Sequence, residues 1–337
     1  MFMFLKELTN LGAPSGFEDA VRDFIKEHAI ADEIYTDSIG NLICHKKGNG
    51  KKIMVAAHMD EVGLIITEIT EKGFLKFSTL GGIDTAVLCS KKVLIGENEV
   101  PGIVSAKAIH LQSKNEVNTP LKIKDMCIDI GASDKEAAEK LVKLGDYAVF
   151  DGKYTPFGNN LVKSKALDDR VGCAIILELM KEEYQSDMFF VFTVQEEVGL
   201  RGAQVAAFNI KPDIALVIEG TTCSDVYGSK PHNQVTNLGG GAVMTAVDRA
   251  AISDKEYYDF IMKTASENNI KLQIKRTTMG GTDAGAIQRS TSGVKTAVLA
   301  VPCRYIHSPV SVMNIDDAES VYNLAKAVLK NIERSGL

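Results

Sequence analysis

Tryptophan is absent from this 337-residue sequence, histidine occurs only six times, and basic residues form no cluster. The net charge of −6 and the pI near 5.6 argue against a nucleic-acid partner or an anionic membrane surface. No apolar run approaches the roughly 20 residues that a membrane-spanning helix needs. Residues 1–8 reach charge too early to form the apolar core of a signal peptide. We therefore expect no membrane partner.

The cysteine pattern lacks the spacing of a disulfide framework or a zinc knuckle. Scattered cysteines without Cys-x-x-Cys spacing are typical of small buried hydrophobic residues in a reducing compartment, so we expect a cytoplasmic location. A composition that is 45% hydrophobic and 24% charged is ordinary for a globular protein. The chain is long enough for one large domain or two modest ones. The cysteines are Cys44, Cys89, Cys127, Cys173, Cys223 and Cys303.

A strand-like apolar segment, residues 188–193, is followed closely by two adjacent carboxylates, Glu196 and Glu197. Its β-branched and aromatic residues predict a strand that is covered on both faces, as in a sheet flanked by helices. Neighbouring side chains of an extended chain point to opposite sides, so the two carboxylates cannot easily share one task. A solvated pair in a loop is the ordinary alternative. A functional interpretation therefore needs partners from elsewhere in the chain.

Potential partners occur beside four other predicted elements. In open α/β sheets, ligands bind outside the carboxyl ends of the strands, so polar residues at those ends are expected to converge. A carboxylate at the N-terminus of a helix is favoured by the helix dipole and can join them. The partners are His58 after the strand at residues 52–57, Glu219 at the end of the strand at 214–218, His307 after the strand at 296–301, and Asp168 before an apolar helix.

The middle of the chain has a different texture. Alternating segments and glycine pairs between about residues 66 and 160 indicate short antiparallel strands. We therefore predict an α/β fold: a three-layer αβα catalytic domain with a mixed, largely parallel central sheet, plus an inserted small β-rich, barrel-like domain. The catalytic domain is discontinuous, comprising residues 1–66 and 161–337, and the insert comprises residues 67–160. Near the N-terminus, the capping-box spacing of Ser15 and Glu18 predicts that a helix begins at Ser15.

Two histidines and three carboxylates are a donor set that suits zinc, cobalt or manganese, and a carboxylate can bridge two ions. Two such ions can lower the pKa of a shared water and polarise a carbonyl. Glu196, beside a ligand but pointing elsewhere, suits the role of the base that moves the proton. Asp60 could orient His58 through its other ring nitrogen. The predicted reaction is metal-assisted hydrolysis, most naturally of an amide.

Four motifs, in this order over essentially the whole chain, resemble those of the M42 metallo-aminopeptidases, also called glutamyl or tetrahedral aminopeptidases and sometimes labelled cellulases or endoglucanases. The resemblance implies that one metal ion is held by His58, Asp168 and Glu219 and a second by Asp168, Glu197 and His307. It also implies Glu196 as the general acid/base and Asp60 as the catalytic aspartate behind His58. The motifs are Ala-His-Met-Asp-Glu-Val-Gly at 57–63, Ala-Leu-Asp-Asp-Arg-Val-Gly at 166–172, Gln-Glu-Glu-Val-Gly at 195–199 and Arg-Tyr-Ile-His-Ser-Pro at 304–309.

The same resemblance implies peptide substrates, two divalent ions per subunit, zinc or cobalt with manganese possible, and a homo-oligomer. Dimers formed through residues 67–160 would assemble into a tetrahedral dodecamer with its active sites facing inside. Three positions depart from the family pattern: Glu219 where many relatives have aspartate, Ser311 where glutamate is common, and Ile83 where tryptophan is expected. None of them removes a proposed ligand.

Substrate recognition is less well specified by the sequence. Thr282 and Asp283 lie in a loop that resembles one near the family's substrate pocket, and they could line it or cap the following helix. Arg249, Lys230 and His232 could receive an acidic substrate side chain, although ordinary surface charges are the favoured interpretation.

Three other functions remain as alternatives. Another metal-dependent amide hydrolase, such as a deacylase, carboxypeptidase or dipeptidase, would use the same ligands. A metal-free endoglucanase would pair Glu196 with a second carboxylate, but the chain has no tryptophan for sugar stacking. A non-catalytic binding protein is disfavoured because every catalytic position is filled.

Overall fold

The computed structural model describes residues 2–119, 121–335 and 337. In this part of the chain, no helix has both the length and the apolar character needed to cross a membrane. The helices are α1 (Leu5–Asn10), α2 (Asp19–His28), α3 (Lys114–Val117), α4 (Lys135–Glu139), α5 (Leu167–Leu179), α6 (Arg201–Ile210), α7 (Lys255–Glu267), α8 (Ala284–Gln288) and α9 (Ile315–Asn331).

The strands divide between a large sheet and a closed barrel. They are β1 (Glu33–Thr36), β2 (Leu42–Lys46), β3 (Lys52–His58), β4 (Gly63–Ile69), β5 (Leu75–Leu80), β6 (Lys92–Ile95), β7 (Val100–Ala106), β8 (Met126–Asp129), β9 (Tyr147–Phe150), β10 (Thr155–Phe157), β11 (Leu161–Ser164), β12 (Asp187–Thr193), β13 (Ile214–Thr222), β14 (Ala242–Thr245), β15 (Leu272–Ile274), β16 (Lys295–Arg304) and β17 (Ser311–Asn314).

The large sheet has the strand order β1-β2-β12-β3-β13-β16-β17-β11-β10, with β14 pairing β16 and β15 pairing β14. Its centre is parallel: β12 pairs β3, β3 pairs β13 and β13 pairs β16 in the same direction. Antiparallel strands flank this centre. The prediction of a mixed, largely parallel sheet is therefore confirmed, and the carboxyl ends of β12, β3, β13 and β16 meet at one edge.

Helices cover both faces of this sheet, because successive side chains of each central strand point to opposite sides. Phe190 and Phe192 of β12 pack in a core with α1, α2, α5, α7 and α9. Phe189 and Val191 of the same strand pack with α6 and α8 on the other face. Burial on both faces explains why the central strands are apolar at every position. The three-layer arrangement predicted from these runs is confirmed.

The strands β4-β5-β8-β7-β6-β9 close into an antiparallel barrel with a core of its own. Leu64, Phe77 and Ile128 are among the buried residues of that core. Closure pairs every strand on both sides and leaves no open sheet edge. The expected β-rich, barrel-like unit is confirmed, and it follows His58 in the chain by only a few residues.

The prediction that a helix begins at Ser15 is wrong, because α2 begins at Asp19. The Ser15 hydroxyl is not a cap; it donates a hydrogen bond to Asp60 Oδ2 over 2.6 Å. Glu18 Oε1 accepts hydrogen bonds from the backbone N–H groups of Gly16 and Gln195. Both side chains of the capping-box pattern therefore make contacts that a local sequence pattern cannot show. They connect the N-terminal segment to two of the polar motifs.

Candidate metal centre

His58 ends β3 and is buried, with its two ring nitrogens facing different partners. Nδ1 lies 3.0 Å from the carbonyl oxygen of Asp60 and 3.4 Å from Asp60 Oδ1. Nε2 lies 3.2 Å from Glu219 Oε1 and 3.4 Å from Asp168 Oδ1. A ligating histidine has this arrangement, because a partner at one nitrogen fixes the ring and directs the other nitrogen toward the ion. Asp60 therefore lies on the Nδ1 side of His58, away from Glu219 and Asp168.

Asp60 is completely buried and connects three segments of the site. Its carboxylate accepts hydrogen bonds from the Ser15 hydroxyl and from the backbone N–H groups of Glu196 and Glu197. Burial alone would raise the pKa of Asp60, but His58 and these hydrogen bonds outweigh it and hold the pKa below its usual range. Asp60 therefore stays ionised and fixes both His58 and the Glu-Glu pair.

Glu196 and Glu197 are the third and fourth residues after the end of β12, and they lie in a turn. The sequence analysis assumed an extended chain here, but Gln195 has a left-handed φ of 57°, so the chain turns at this residue. The two side chains nevertheless separate. Glu196 Oε2 lies 4.0 Å from His58 Nε2, whereas Glu197 Oε1 lies 3.4 Å from His307 Nε2. The turn, held by Asp60, is the physical cause of this separation.

Asp168, at the start of α5, lies between the two histidines. Its Oδ1 is 3.4 Å from His58 Nε2 and its Oδ2 is 3.6 Å from His307 Nε2. Burial acts to raise the pKa of Asp168, but His307 and His58 lower it well below the usual range. Oδ1 is buried and has no hydrogen-bond partner among the described residues. An ionised carboxylate with an unused buried oxygen is chemically suited to a cation.

The sequence pattern placed Glu219 at the end of its strand, but the strand continues beyond this residue. β13 continues to Thr222 because residues 219–222 pair with residues 300–303 of β16. On its other side, β13 pairs with β3 only as far as Val217. Glu219 is therefore the second residue beyond that pairing, beside the end of the shorter strand, and it faces His58 there. Burial, more than any other effect, raises the pKa of Glu219 to about 8.

His307 follows β16 by three residues and has a left-handed φ of 57°. Its Nδ1 lies 2.9 Å from the carbonyl oxygen of Gly82, which belongs to the loop after β5 of the barrel. Burial acts to lower the pKa of His307, but Asp168 and Glu197 raise it to about 9. The barrel thus orients a residue of the site. Uncommon backbone conformations of non-glycine residues often occur at functional sites, where surrounding contacts hold them.

Two overlapping groups of donor atoms result. One atom from each of His58, Asp168 and Glu219 lies within 4.8 Å of the others, and the same holds for Asp168, Glu197 and His307. His58, Glu196 and Glu197 form a third group by this criterion. Burial, with the neighbouring Asp168 carboxylate acting in the same direction, raises the pKa of Glu197 to about 7. The donor chemistry and the unused oxygen of Asp168 fit divalent metal ions.

A cavity of about 420 Å³ opens beside this donor cluster. Glu196 lines it, whereas Glu197 does not. Thr282 lines the cavity and donates a hydrogen bond to Asp248, but Asp283 lies outside the lining. Asp283 instead accepts a hydrogen bond from Thr193 at the end of β12 over 2.5 Å.

The basic residues of the cavity differ from those that the sequence suggested. Arg249, Lys230 and His232 are not among the described residues that line it, whereas Lys275 is. Lys275 follows a short, half-buried strand and carries no motif, so only the folded chain reveals its position.

Ser311 and Ile83, which depart from the family pattern, both make contacts close to the donor cluster or within the barrel. Ser311 is buried, and its hydroxyl donates a hydrogen bond to the carbonyl of Tyr305, in the loop that carries His307. Ile83 is partly buried and packs against the core of the barrel. Neither residue displaces a member of the donor cluster.

A buried network of ion pairs lies beside the donor cluster and holds the segment that carries His58 and Asp60. Glu61 Oε1 accepts hydrogen bonds from Lys165 Nζ at 2.6 Å and from Arg170 Nη2 at 3.3 Å. Arg170 Nε donates to the carbonyl of Met59, which lies between His58 and Asp60. All three charged residues are at least 96% buried. The network links the loop after β3 to the start of α5, and sequence patterns gave no sign of it.

A Glu61→Gln variant should be less stable by about 3–5 kcal/mol, because two buried cations lose the carboxylate that they share. Urea unfolding followed by circular dichroism measures this difference. An Asp259→Asn variant is the control, since its ion pair with Lys255 is exposed and should contribute less than about 1 kcal/mol. Equal stabilities of the two variants would show that the network does not support the fold.

Known proteins are similar to this chain in sequence and in fold. The family model described as M42 glutamyl aminopeptidase matches residues 40–324. The chain is 32% identical to the lysyl aminopeptidase of Pyrococcus furiosus over 328 residues, covering 94% of this chain and 92% of that protein. Aminopeptidase APDkam598 of the archaeon Desulfurococcus kamchatkensis has a TM-score of 0.92 at 36% identity, covering 98% of this chain and 94% of that one.

A second solved structure is that of the Pyrococcus horikoshii TET1 peptidase, described as able to assemble into a tetrahedron or a large octahedral shell. Its TM-score is 0.86 at 36% identity, and the alignment covers 96% of this chain and 98% of that one.

The fold is of the α/β class, and the donor cluster lies near the carboxyl ends of its parallel strands, where open α/β sheets bind ligands. The chain belongs to the M42 peptidase family. It is an aminopeptidase, a hydrolase that acts on peptide bonds. The resemblance of its four motifs to this family is therefore confirmed.

Proposed function

We propose that this aminopeptidase holds two divalent metal ions and removes N-terminal residues from peptides. The observation that carries the proposal is the position of Asp168, whose two carboxylate oxygens face different histidines. His58 and Glu219 would complete one set of ligands with Asp168, and Glu197 and His307 would complete the other. A carboxylate shared between two sets is suited to bridging. Zinc or cobalt suits these donors best, and manganese is also compatible.

When bound, the ions supply a lowered pKa for an attacking water and polarisation of the scissile carbonyl. Glu196 would take the proton from that water and deliver it to the leaving amine. Its position supports this role: the carboxylate lines the cavity but lies farther from His58 Nε2 than the oxygens of Glu219 and Asp168 do. Asp60 would keep His58 oriented and hold the turn that directs Glu196 toward the cavity.

The predicted insert, residues 67–160 between catalytic segments 1–66 and 161–337, contains most of the barrel and would serve as a dimerisation domain. Large apolar side chains exposed in this region support the proposal, since exposed apolar surface is typical of interaction sites. Such dimers would assemble into a tetrahedral dodecamer; the P. horikoshii relative is described as able to assemble into a tetrahedron. Light scattering should give the mass of twelve chains. The exposed residues include Ile103, Ile109, Leu111, Val117, Leu141 and Leu144.

The proposed activity is tested by following the hydrolysis of one peptide with a free amino terminus and its N-acetylated form. We expect release of the first residue from the free peptide alone, loss of that release after exhaustive chelation, and recovery with zinc, cobalt or manganese. Cleavage at the C-terminus of the acetylated peptide would instead favour another metal-dependent amide hydrolase on the same scaffold. Peptide hydrolysis that survives chelation would contradict the metal-dependent proposal.

A further inference from the structure

The cavity beside the donor cluster has an uneven distribution of charge. Its acidic residues, Asp168, Glu196 and Glu219, lie close to the histidines of the donor cluster. Lys275 is the one basic residue, apart from those histidines, among the described residues that line it. Other residues of the lining are uncharged, among them Val235, Thr277, Met279, Gly280 and Ile306.

The position of Lys275 is set by the fold. It follows β15 directly, and its backbone N–H donates to the carbonyl of Met244 in β14 over 3.0 Å. A Cβ atom added at Gly280 would lie 3.8 Å from Lys275 Nζ, so the ammonium group lies over the loop that forms the cavity wall. The carbonyl of Gly280 is itself fixed by the backbone N–H of Arg249 at 2.8 Å.

The ammonium group of Lys275 has no carboxylate within ion-pair distance in the part of the chain that the structure describes. Several other lysines of the chain do have such a partner, including Lys165 with Glu61 and Lys326 with Glu182. A half-buried cation that faces a cavity and lacks an internal counter-ion is available to an anionic ligand. Loss of water from the ammonium group when a substrate enters strengthens that attraction.

We propose that Lys275 determines specificity by binding a carboxylate of the peptide substrate. This inference rests on the proposed function of the cavity. A peptide can supply the carboxylate from two sources, the side chain of an acidic N-terminal residue or the free C-terminus of a dipeptide. Both sources present a carboxylate to Lys275. A peptide substrate that placed a lysine or arginine side chain beside Lys275 would be repelled.

Four substrates separate the two sources: glutamyl amide, glutaminyl amide, leucyl-glycine and leucyl-glycinamide. Glutamate and glutamine differ only in the side-chain charge, and the two leucyl compounds differ only in the terminal charge. We measure kcat/KM of the metal-loaded wild-type enzyme and of Lys275→Met for each. Replacement should lower kcat/KM about 10- to 100-fold for the charged member of one pair, as expected for a lost hydrogen bond between charged groups. The neutral member should change less than about 2-fold.

A selective loss on glutamyl amide identifies the acidic side chain as the ligand of Lys275, and a selective loss on leucyl-glycine identifies the C-terminus. Lys275→Arg should retain most of the preference because it keeps the charge. Arg276→Met is the matched control, since it removes a neighbouring exposed charge that does not line the cavity. An equal change in all four substrates, or none, overturns the proposal.

The test also distinguishes this inference from the proposed function. Were the wild-type enzyme unable to hydrolyse any of the four substrates with divalent metal, the proposed function would fail. Metal-dependent hydrolysis with unchanged ratios within both pairs in Lys275→Met leaves the proposed function standing and removes only the role of Lys275.

Discussion

A Glu196→Gln variant should lose about 10²–10⁴-fold in kcat, the range typical for removal of a general acid/base. Glutamine keeps the size of the side chain and its place in the cavity lining, but it cannot take a proton from water or return one to an amine. Because Glu196 is not required to complete either proposed ligand set, metal content should stay at the wild-type level. KM should change little, so the loss should appear equally in kcat and kcat/KM.

The matched control for this variant is Glu256→Gln, the same substitution at an exposed position of α7 paired with Lys295. It should leave kcat within about 2-fold of wild type, because Glu256 is exposed and is not among the residues that line the cavity. Turnover of Glu196→Gln near the wild-type rate, with normal folding and metal content, would mean that another group moves the proton.

Asp168→Asn should have a second, larger effect, since one substitution removes an anionic ligand from both proposed sets. The Asp168 carboxylate lies 3.4 Å from His58 Nε2 and 3.6 Å from His307 Nε2. Asp168 belongs both to the donor group with His58 and Glu219 and to the donor group with Glu197 and His307. An amide has no negative charge and cannot bridge two cations in the same way. Affinity for both ions should fall by more than about 100-fold, beyond the effect of losing a supporting contact.

Loss of metal should also be visible without any substrate. Binding of ions to the folded state alone raises the melting temperature, so added zinc should stabilise the wild-type protein and leave Asp168→Asn nearly unchanged. Asp23→Asn, an exposed aspartate of α2, serves as the control and should respond to zinc as the wild type does. A zinc-dependent rise in Asp168→Asn equal to that of the wild type would contradict the shared-ligand role.

The sheet and the barrel could be predicted from the sequence because their patterns are local. The apolar run at residues 188–193 has aromatic residues facing two helical layers, and that burial on both faces is what the unbroken run indicates. The meeting of His58, Glu197 and His307 could also be anticipated, because they end or follow β3, β12 and β16, and the ends of parallel strands lie at one edge of a sheet.

Other features depend on contacts that no local pattern encodes. Ser15 matched a capping box, but its hydroxyl binds Asp60, 45 residues later. Glu219 seemed to end a strand, yet pairing with β16 carries β13 onward to Thr222. The carbonyl of Gly82 reaches His307 across 225 residues, from the barrel to the sheet. Each of these is decided by tertiary packing, which overrides the preference of the segment.

The position of Lys275 belongs to the same class. Three other basic residues were more conspicuous in the sequence, but the cavity lining is assembled from β13, the loop after β15 and the segment that carries His307. A charge becomes part of such a surface only when these segments meet. Composition and spacing therefore indicate the chemistry of the donor cluster more readily than the selectivity of the cavity beside it.

The most direct test of the divided Glu-Glu pair is the metal content per chain of the wild type, Glu196→Gln and Glu197→Gln, measured by elemental analysis after dialysis against limiting zinc. We expect two ions in the wild type and two in Glu196→Gln, but fewer than two in Glu197→Gln, whose side chain faces His307 at 3.4 Å. Equal loss of metal from both variants, or one ion in the wild type, would contradict the assignment of Glu197 as a ligand and Glu196 as the proton carrier.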